Sequence, residues 1–436
     1  MEFLIGVLVL VVGLLVSIAL HELGHMIPAK RFGVLVSEYF VGFGPRLWSR
    51  RRGETEYGIK AIPLGGYVRL VGMVPPASAV KPVRIGGWAG RLIEDTRAQA
   101  EEEIPAGQDH RAFYHLTWWR KAIVMLGGPL VNLVLAILIF TAVLSFVGLP
   151  TQTLQVASVV QCVPAAGTSE CTADDPAAPA AAAGIEAGDV FVSADGVALD
   201  EWTDLTAYVA SHPGEEIALV VDRGGELVDL TVTPASRTVY AADDEGEPLL
   251  DAAGEPVTEE IGYLGVYSLT EAQQQPVWSG AELTWQYLGQ TMGVIIDLPA
   301  QVYHVGRAAV GLEERTADSV IGVVGVGRIS GEIASADVDG YSMGERMADM
   351  LMLLGGLNLA LFAFNMIPLV PLDGGHVASA LWQGIKNGWA RLRGAARPRP
   401  VDVARMMPVA YGVFALLLVM GAVLVYADIV APVTIA

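Results

Sequence analysis

The sequence predicts a polytopic α-helical membrane protein, with about four transmembrane helices and one folded α+β insert. Three observations predict it. Charged residues make up 17% of the 436 positions and hydrophobic residues 53%. Four apolar runs are long enough to cross roughly 30 Å of hydrocarbon: Phe3–Leu20, Ala122–Val147, about Leu351–Val370, and Pro408–Tyr426. Charge is also segregated. Of 27 Lys and Arg, 15 fall between Lys30 and Lys121 and 6 between Lys386 and Arg405, while the stretch Leu149–Arg346 holds 6 against 32 acidic residues.

Basic loops stay on the cytoplasmic side, so the first and third loops are expected inside and the long acidic loop outside, with the Met1-Glu2 end also outside. A net charge of −20 argues against a nucleic-acid partner. The first run has no basic n-region, is long for a signal peptide, and is followed rather than preceded by Lys30-Arg31. It is expected to stay as a helix. Cys162 and Cys171 sit in the external loop, where an oxidising compartment allows a disulfide and an Ala/Asp/Pro-rich linker equally allows two separate thiols.

The expected division assigns 1–29 to transmembrane helix 1, 30–118 to a cytoplasmic loop, 119–148 to transmembrane helix 2, and 149–236 to a linker and external folded domain. Then come an acidic loop with external, membrane-leaning helices at 237–345, transmembrane helix 3 at 346–382, a cytoplasmic loop at 383–407 and transmembrane helix 4 at 408–429. Within the first loop, Ser37–Val41 and Thr55–Leu70, broken by Gly42-Phe43-Gly44-Pro45, Pro63 and Gly65-Gly66, read as short β segments. Pro75–His115 reads as irregular chain with a short helix around Leu92–Glu103. In the external domain Asp195-Gly196 marks a tight hairpin, Trp202–Ala210 a short helix, and Ile217–Asp222 and Leu227–Thr233 alternating strands. That order, over about 154–236, resembles a PDZ domain.

The chemistry concentrates at the inner end of the first span, in His21-Glu22-Leu23-Gly24-His25. Helical positions i and i+4 share a face, so both imidazoles can bind one metal, and Glu22 can approach a water in its open position. Such groups at the end of a lipid-embedded helix are costly unless bound or paired, about 2–3 kcal/mol for a carboxylate deep in the bilayer. A catalytic zinc wants a third protein ligand. The strongest candidate is Asp373, which follows Asn365 and the helix-breaking Pro368 and Pro371 at the inner end of span three, before Gly374-Gly375-His376. His110, His115 and His376 are weaker candidates, and His212 and His304 lie outside. In span two, Gly127-Gly128-Pro129 with Asn132 reads either as a close helix approach with a polar wall or as ordinary small-residue packing.

Together, His21–His25, Gly42–Pro45, Thr55–Val68, Gly127–Asn132, the PDZ-like insert and Asn365–Gly374 resemble the site-2 protease family, zinc intramembrane metalloproteases of the bacterial RseP/Rip type (peptidase M50). The resemblance implies His21, His25 and Asp373 as ligands of Zn2+, Glu22 as base, and Asn365 as holder of the substrate backbone or oxyanion. It implies a polytopic fold with a cytoplasmic-side re-entrant β-hairpin and one extracytoplasmic PDZ-like α+β domain, in the bacterial cytoplasmic (inner) membrane. Its substrates would be pre-trimmed single-span proteins, such as anti-sigma factors or signal-peptide remnants. Gly322-Val323-Val324-Gly325-Val326 departs from the family pattern by lacking its proline, and the acidic tract before Gly262 reads as an insertion. The competing reading is a membrane metal-binding scaffold or metal transporter without protease activity. It predicts repeated halves, which the sequence does not show, and has no use for Glu22.

Overall fold

The computed structural model describes residues 1–82, 85–162, 178–241, 249, 257–313, 315, 319–337, 341–396 and 398–433. In chain order, α1 (Glu2–Arg31) leads into the strands β1 (Val36–Arg52) and β2 (Thr55–Leu70), then α2 (Gly87–Glu102) and α3 (Trp118–Ala142). β3 (Leu149–Val159), α4 (Pro179–Ala182), β4 (Val190–Ala194), β5 (Val197–Ala198), α5 (Trp202–Ala210), β6 (Ile217–Arg223) and β7 (Glu226–Val232) follow. The chain continues through β8 (Ala235–Tyr240), β9 (Thr258–Tyr263), β10 (Val266–Gln273), α6 (Ser279–Ala309), α7 (Val323–Ser335), α8 (Met343–Asn365), α9 (Asp373–Leu392) and α10 (Met407–Val430). Two compact units result: Met1–Val147 with Pro276–Ala436, and Gly148–Gln275.

Four helices of the first unit are long and apolar enough to cross a membrane: Glu2–Arg31, Trp118–Val147, Met343–Asn365 and Val403–Val430. Leu4, Leu8, Val12 and Val16 on α1, and Phe414, Leu416, Leu418 and Val419 on α10, are exposed. A stripe that apolar is what a lipid-facing surface requires. Glu2 in the first turn and Lys30 and Arg31 in the last complement the dipole of α1. α6 spans 31 residues but carries Glu282, Asp297 and His304, and does not reach the apolarity of the four.

α3 packs against α1, α6, α8 and α9. Its Phe140 is fully buried, in a cluster with Ala136 and Leu359 of α8, and its ring meets Tyr287 of α6 edge-on. α8 begins with a capping box: Ser342 Oγ accepts from the Glu345 N–H, and the Glu345 carboxylate accepts from the Ser342 N–H. Midway along α8, buried Asn358 donates at 3.0 Å to buried Ser17 Oγ of α1, one turn before His21. Such an amide–hydroxyl contact fixes two apolar helices in one rotation.

Asp428 near the end of α10 is buried against Arg315, 2.8 Å away, with side-chain exposures of 1% and 3%. The same carboxylate accepts from the N–H groups of Gly322 and Gly325 at the start of α7. Pairing plus a helix N-terminus offsets the desolvation of the charge.

Expectation and structure differ at α2, at α9 and at the end of the second unit. α2 starts at Gly87 rather than near Leu92, and α9 runs to Leu392, so the first ten residues of the expected 383–407 loop are helical. The pattern behind α9 is a stripe of Leu381, Ile385, Trp389 and Leu392, all exposed. The second unit runs on to Gln275, past 236, because β10 pairs antiparallel with β3, from Val266↔Val159 to Gln273↔Leu149. The sheet order is β10-β3-β4-β6-β7, with β5 on β4 and a separate β8-β9 ladder. The described ends of the expected acidic loop are thus strands, while 242–248 and 250–256 lie outside the described residues. Cys171 also lies outside them, and with it the expected alternatives for the cysteine pair; Cys162 is buried.

In this unit Ile217, Leu219 and Val221 alternate into a core with Phe191, Trp202 and Leu205. Asp195-Gly196, both with positive φ, close the β4–β5 hairpin between Ala194 and Val197. Asp189 is locked by Arg223 through two bonds of 2.7 and 2.8 Å, and this pairing holds its carboxyl below the usual carboxylate range.

Two outcomes follow. Asp428→Ala strands a buried guanidinium and should cost about 3–5 kcal/mol, read as a lower unfolding midpoint of the detergent-solubilised chain. A depressed folded pKa stabilises only above the unfolded value of about 3.9. Asp189→Asn should therefore raise hydrogen exchange across residues 184–223 at neutral pH, by about 1.5–3 kcal/mol. The gap from wild type should close as pH falls below about 4.

Candidate metal centre

α1 and α3 touch backbone to backbone. A Cβ on Gly24 would strike the Gly127 carbonyl oxygen, and a Cβ on Gly127 the Gly24 carbonyl oxygen. Of the two readings open for the span-two glycines, the close approach is the one the structure contains. Gly24 belongs to the His-Glu-x-x-His turn, so this crossing presses α3 against the histidines. The His25 Nδ1–H donates to the Val124 carbonyl of α3 at 2.8 Å. A carbonyl can only accept, so the proton sits on Nδ1 and the Nε2 lone pair is free to face inward.

Asp373 arrives from the other side. α8 ends at Asn365, and the chain folds through Pro368 and Pro371 so that α9 starts at Asp373. Gly374 makes the fold-back possible, because a Cβ there would meet the Met366 and Ile367 carbonyls. A carboxylate in the first turn of α9 is also favoured by the helix dipole.

The three expected ligands meet. His21 Nε2 and His25 Nε2 are each 3.3 Å from Asp373 Oδ2 and 3.2 Å from one another. Both histidines are buried. Zinc bonds of about 2.0–2.1 Å to nitrogen and oxygen put neighbouring tetrahedral ligand atoms about 3.3 Å apart, so the observed edges suit that ion. Gly128 supplies the space. A Cβ there would fall against His25 Nε2 and 2.7 Å from His21 Nε2, in the volume an ion needs. The donor set of two imidazoles and one carboxylate is a catalytic zinc pattern, and the residues fit Zn2+.

A cavity of about 720 Å³ opens on this cluster, lined by Glu22, Asn365, Asn132 and His376 beside the three donors. Glu22 and Asn365, the two expected catalytic residues, therefore share the cavity with the metal donors. His110 and His115 do not line it. β2 forms the opposite wall with Pro63, Gly65, Gly66, Tyr67 and Val68. Gly66 sits so close to α1 that a Cβ would come within 3.0 Å of Ile18 and 3.2 Å of the Glu22 side chain. The segment Gly66–Leu70 pairs on one side with Val36–Val41. Among the described residues no other strand pairs with it, so it is an edge.

Sequence reasoning missed three contributors. The Val124 carbonyl that orients His25 is backbone, which any residue supplies, so no signal existed. The Ser17–Asn358 contact joins positions 341 apart. Gly128 was noted for a close helix approach or for small-residue packing, but not as room between the donors. Asn132, one turn further along α3, is buried with no hydrogen-bond partner for either amide atom among the described residues.

An apolar helix bundle enclosing a His-Glu-x-x-His helix and a distant carboxylate defines a membrane metallopeptidase architecture. The chain belongs to Peptidase family M50, whose sequence model matches residues 9–407. It is similar to the zinc metalloprotease Rip1 of Mycobacterium bovis, 32% identical over 99% of both chains. It is also similar to the Rip1 of Mycolicibacterium smegmatis, 31% identical over 100% of both. The zinc metalloprotease RasP of Geobacillus kaustophilus is 26% identical over 94% of both.

The tight space at Gly128 is open to test. Gly128→Ala should lower zinc in the purified chain from about one per chain to near zero. Gly356→Ala on α8, where a Cβ meets nothing within 4 Å, should leave the zinc content unchanged. Elemental analysis reads both.

Proposed function

We propose that this chain is a zinc-dependent intramembrane endopeptidase that hydrolyses peptide bonds within transmembrane segments of pre-trimmed single-span proteins. The observation that carries the reading is the convergence of His21, His25 and Asp373 at 3.2–3.3 Å beside Glu22, with both histidines and Glu22 on a helix apolar enough to be embedded. His21, His25 and Asp373 are the ligands. When bound, Zn2+ supplies Lewis acidity toward the scissile carbonyl and brings the pKa of water toward about 7.

The chain's own groups do the rest. Glu22 takes the proton from the attacking water and returns it to the leaving amine. Asn365 donates its amide to the substrate backbone or the oxyanion, a role whose loss typically costs about 10²–10³ in rate. A substrate helix hides its carbonyls in its own ladder, so a stretch must unwind before attack. The unpaired edge Gly66–Leu70, on the cavity wall beside Glu22, is suited to hold that stretch by strand addition. In this reading β1 and β2 form a re-entrant hairpin. Exposed Phe43, Leu47, Trp48, Ile59 and Ile62 suit contact with lipid.

The basic distribution orients the protein in a bacterial cytoplasmic membrane with the active site near the cytoplasmic face. The unit Gly148–Gln275 is then extracytoplasmic, and its order of strands with the helices α4 and α5 suits a PDZ-like size filter or reader of trimmed carboxyl termini. Substrates of the anti-sigma-factor or signal-peptide-remnant kind fit this arrangement. A scaffold or transporter does not explain Glu22 beside the donors.

Glu22→Gln separates the readings. Cleavage of a single-span substrate should drop by about 10²–10⁴ while zinc content stays at the wild-type level. Undiminished cleavage would overturn the assignment of the base. Cross-linking the same variant in cells, where uncleaved substrate accumulates, identifies the substrate.

A further inference from the structure

A second cavity, of about 470 Å³, lies away from the metal centre, between the segment before α2, the helix α9 and the segment leading into α10. Its volume is in the range of small-ligand sites, roughly 300–1,000 Å³. Four cations line it, Lys81, Lys386, Arg399 and Arg405, with Trp382 beside them. One carboxylate, Asp402, stands against them. It is already engaged twice, by buried Arg97 of α2 and by Arg405 at 2.9 Å.

Backbone carbonyls fix two of the cations. Arg399 Nη1 donates to the Val80 carbonyl at 2.8 Å, and Arg405 Nη2 to the Lys81 and Pro82 carbonyls at 3.3 Å. Among the described residues no carboxylate lies within ion-pairing distance of Lys81, Lys386 or Arg399. The cavity thus holds an excess of positive charge that the described residues do not neutralise.

The helix that forms one wall says what the neutralising group is attached to. On α9, Leu381, Ile385, Trp389 and Leu392 repeat at helical spacing and are exposed, a stripe beside Trp382 and Lys386 of the cavity. A helix whose apolar stripe is flanked by tryptophan and basic residues, as here by Trp382 and Lys386, suits the headgroup region. Basic pockets beside embedded helices at the cytoplasmic leaflet receive anionic lipid headgroups.

We propose that this cavity is a binding site for the phosphodiester headgroup of an anionic phospholipid. Lys81, Lys386, Arg399 and Arg405 receive the phosphate, and the acyl chains run along the Leu381–Leu392 stripe. The lipid bridges α9, which begins at Asp373, to the start of α10 through Arg405. The inference uses the membrane orientation but not the peptidase chemistry.

The test is native mass spectrometry of the full chain in non-ionic detergent, with phosphatidylglycerol, phosphatidylcholine or sodium phosphate added. Wild type should retain one phosphatidylglycerol and show no comparable retention of phosphatidylcholine. Lys386→Gln with Arg399→Gln should weaken phosphatidylglycerol about 25-fold, a factor of about five for each cation, equivalent to about 1 kcal/mol apiece. Lys81→Gln alone, on an exposed side chain, should weaken it about fivefold and serves if the double variant aggregates. Equal phosphatidylglycerol retention by wild type and variants overturns the site. Inorganic phosphate binding as tightly as phosphatidylglycerol overturns the lipid as its source. Zinc content, measured on the same samples, should be unchanged in every variant, so a failure here is distinguishable from a failure of the metal centre.

Discussion

Three lone-pair donors, His21 Nε2, His25 Nε2 and Asp373 Oδ2, are held at 3.2–3.3 Å from one another within an apolar helix bundle. Burying polar groups without partners is expensive in such surroundings, so this arrangement constrains much of the first unit. Because α1 and α3 meet at Gly24 and Gly127, the backbones come close enough for the Val124 carbonyl to fix the proton on His25. Because α8 breaks after Asn365 and α9 starts at Asp373, a carboxylate is delivered to the same spot from a distant part of the chain. Glycine at 374 lets that turn close, and glycine at 128 leaves room between the donors.

The surroundings of the centre serve access and rigidity. Asn358 ties α8 to α1 at Ser17, one turn from His21 on the face it shares. β2 supplies an unpaired strand edge where a helical substrate would otherwise offer no reachable carbonyl. Val323 of α7 also lines the cavity, and α7 is fixed at its start by Asp428. A buried ion pair in the last apolar helix therefore bears on one wall of the site, though it lies far along the chain from any donor.

Much of this was legible in the sequence, for identifiable reasons. The four apolar helices follow from hydrophobic runs, which need no partner to be recognised. The His21–His25 pair follows from helical periodicity alone. Asp195-Gly196 announced its hairpin because few other residues accept positive φ. What was less legible was long-range. β10 joins the second unit by pairing with β3 more than a hundred residues earlier, so the unit's end at Gln275 could not be read from local pattern. α9 beyond 382 carries a helical stripe, but its charges made 383–407 read as a loop.

The sequence by itself determined the membrane class, the helix that bears the imidazoles, and the kind of ion they suit, because each depends on residues close enough along the chain for period and composition to speak. Only the tertiary structure decided that Asp373 reaches the pair, that Gly128 is a space rather than a packing contact, and that the Val124 carbonyl sets the tautomer of His25. Those depend on how two backbones cross and where a broken helix returns, and distances between remote segments are fixed by packing rather than by the order of the residues.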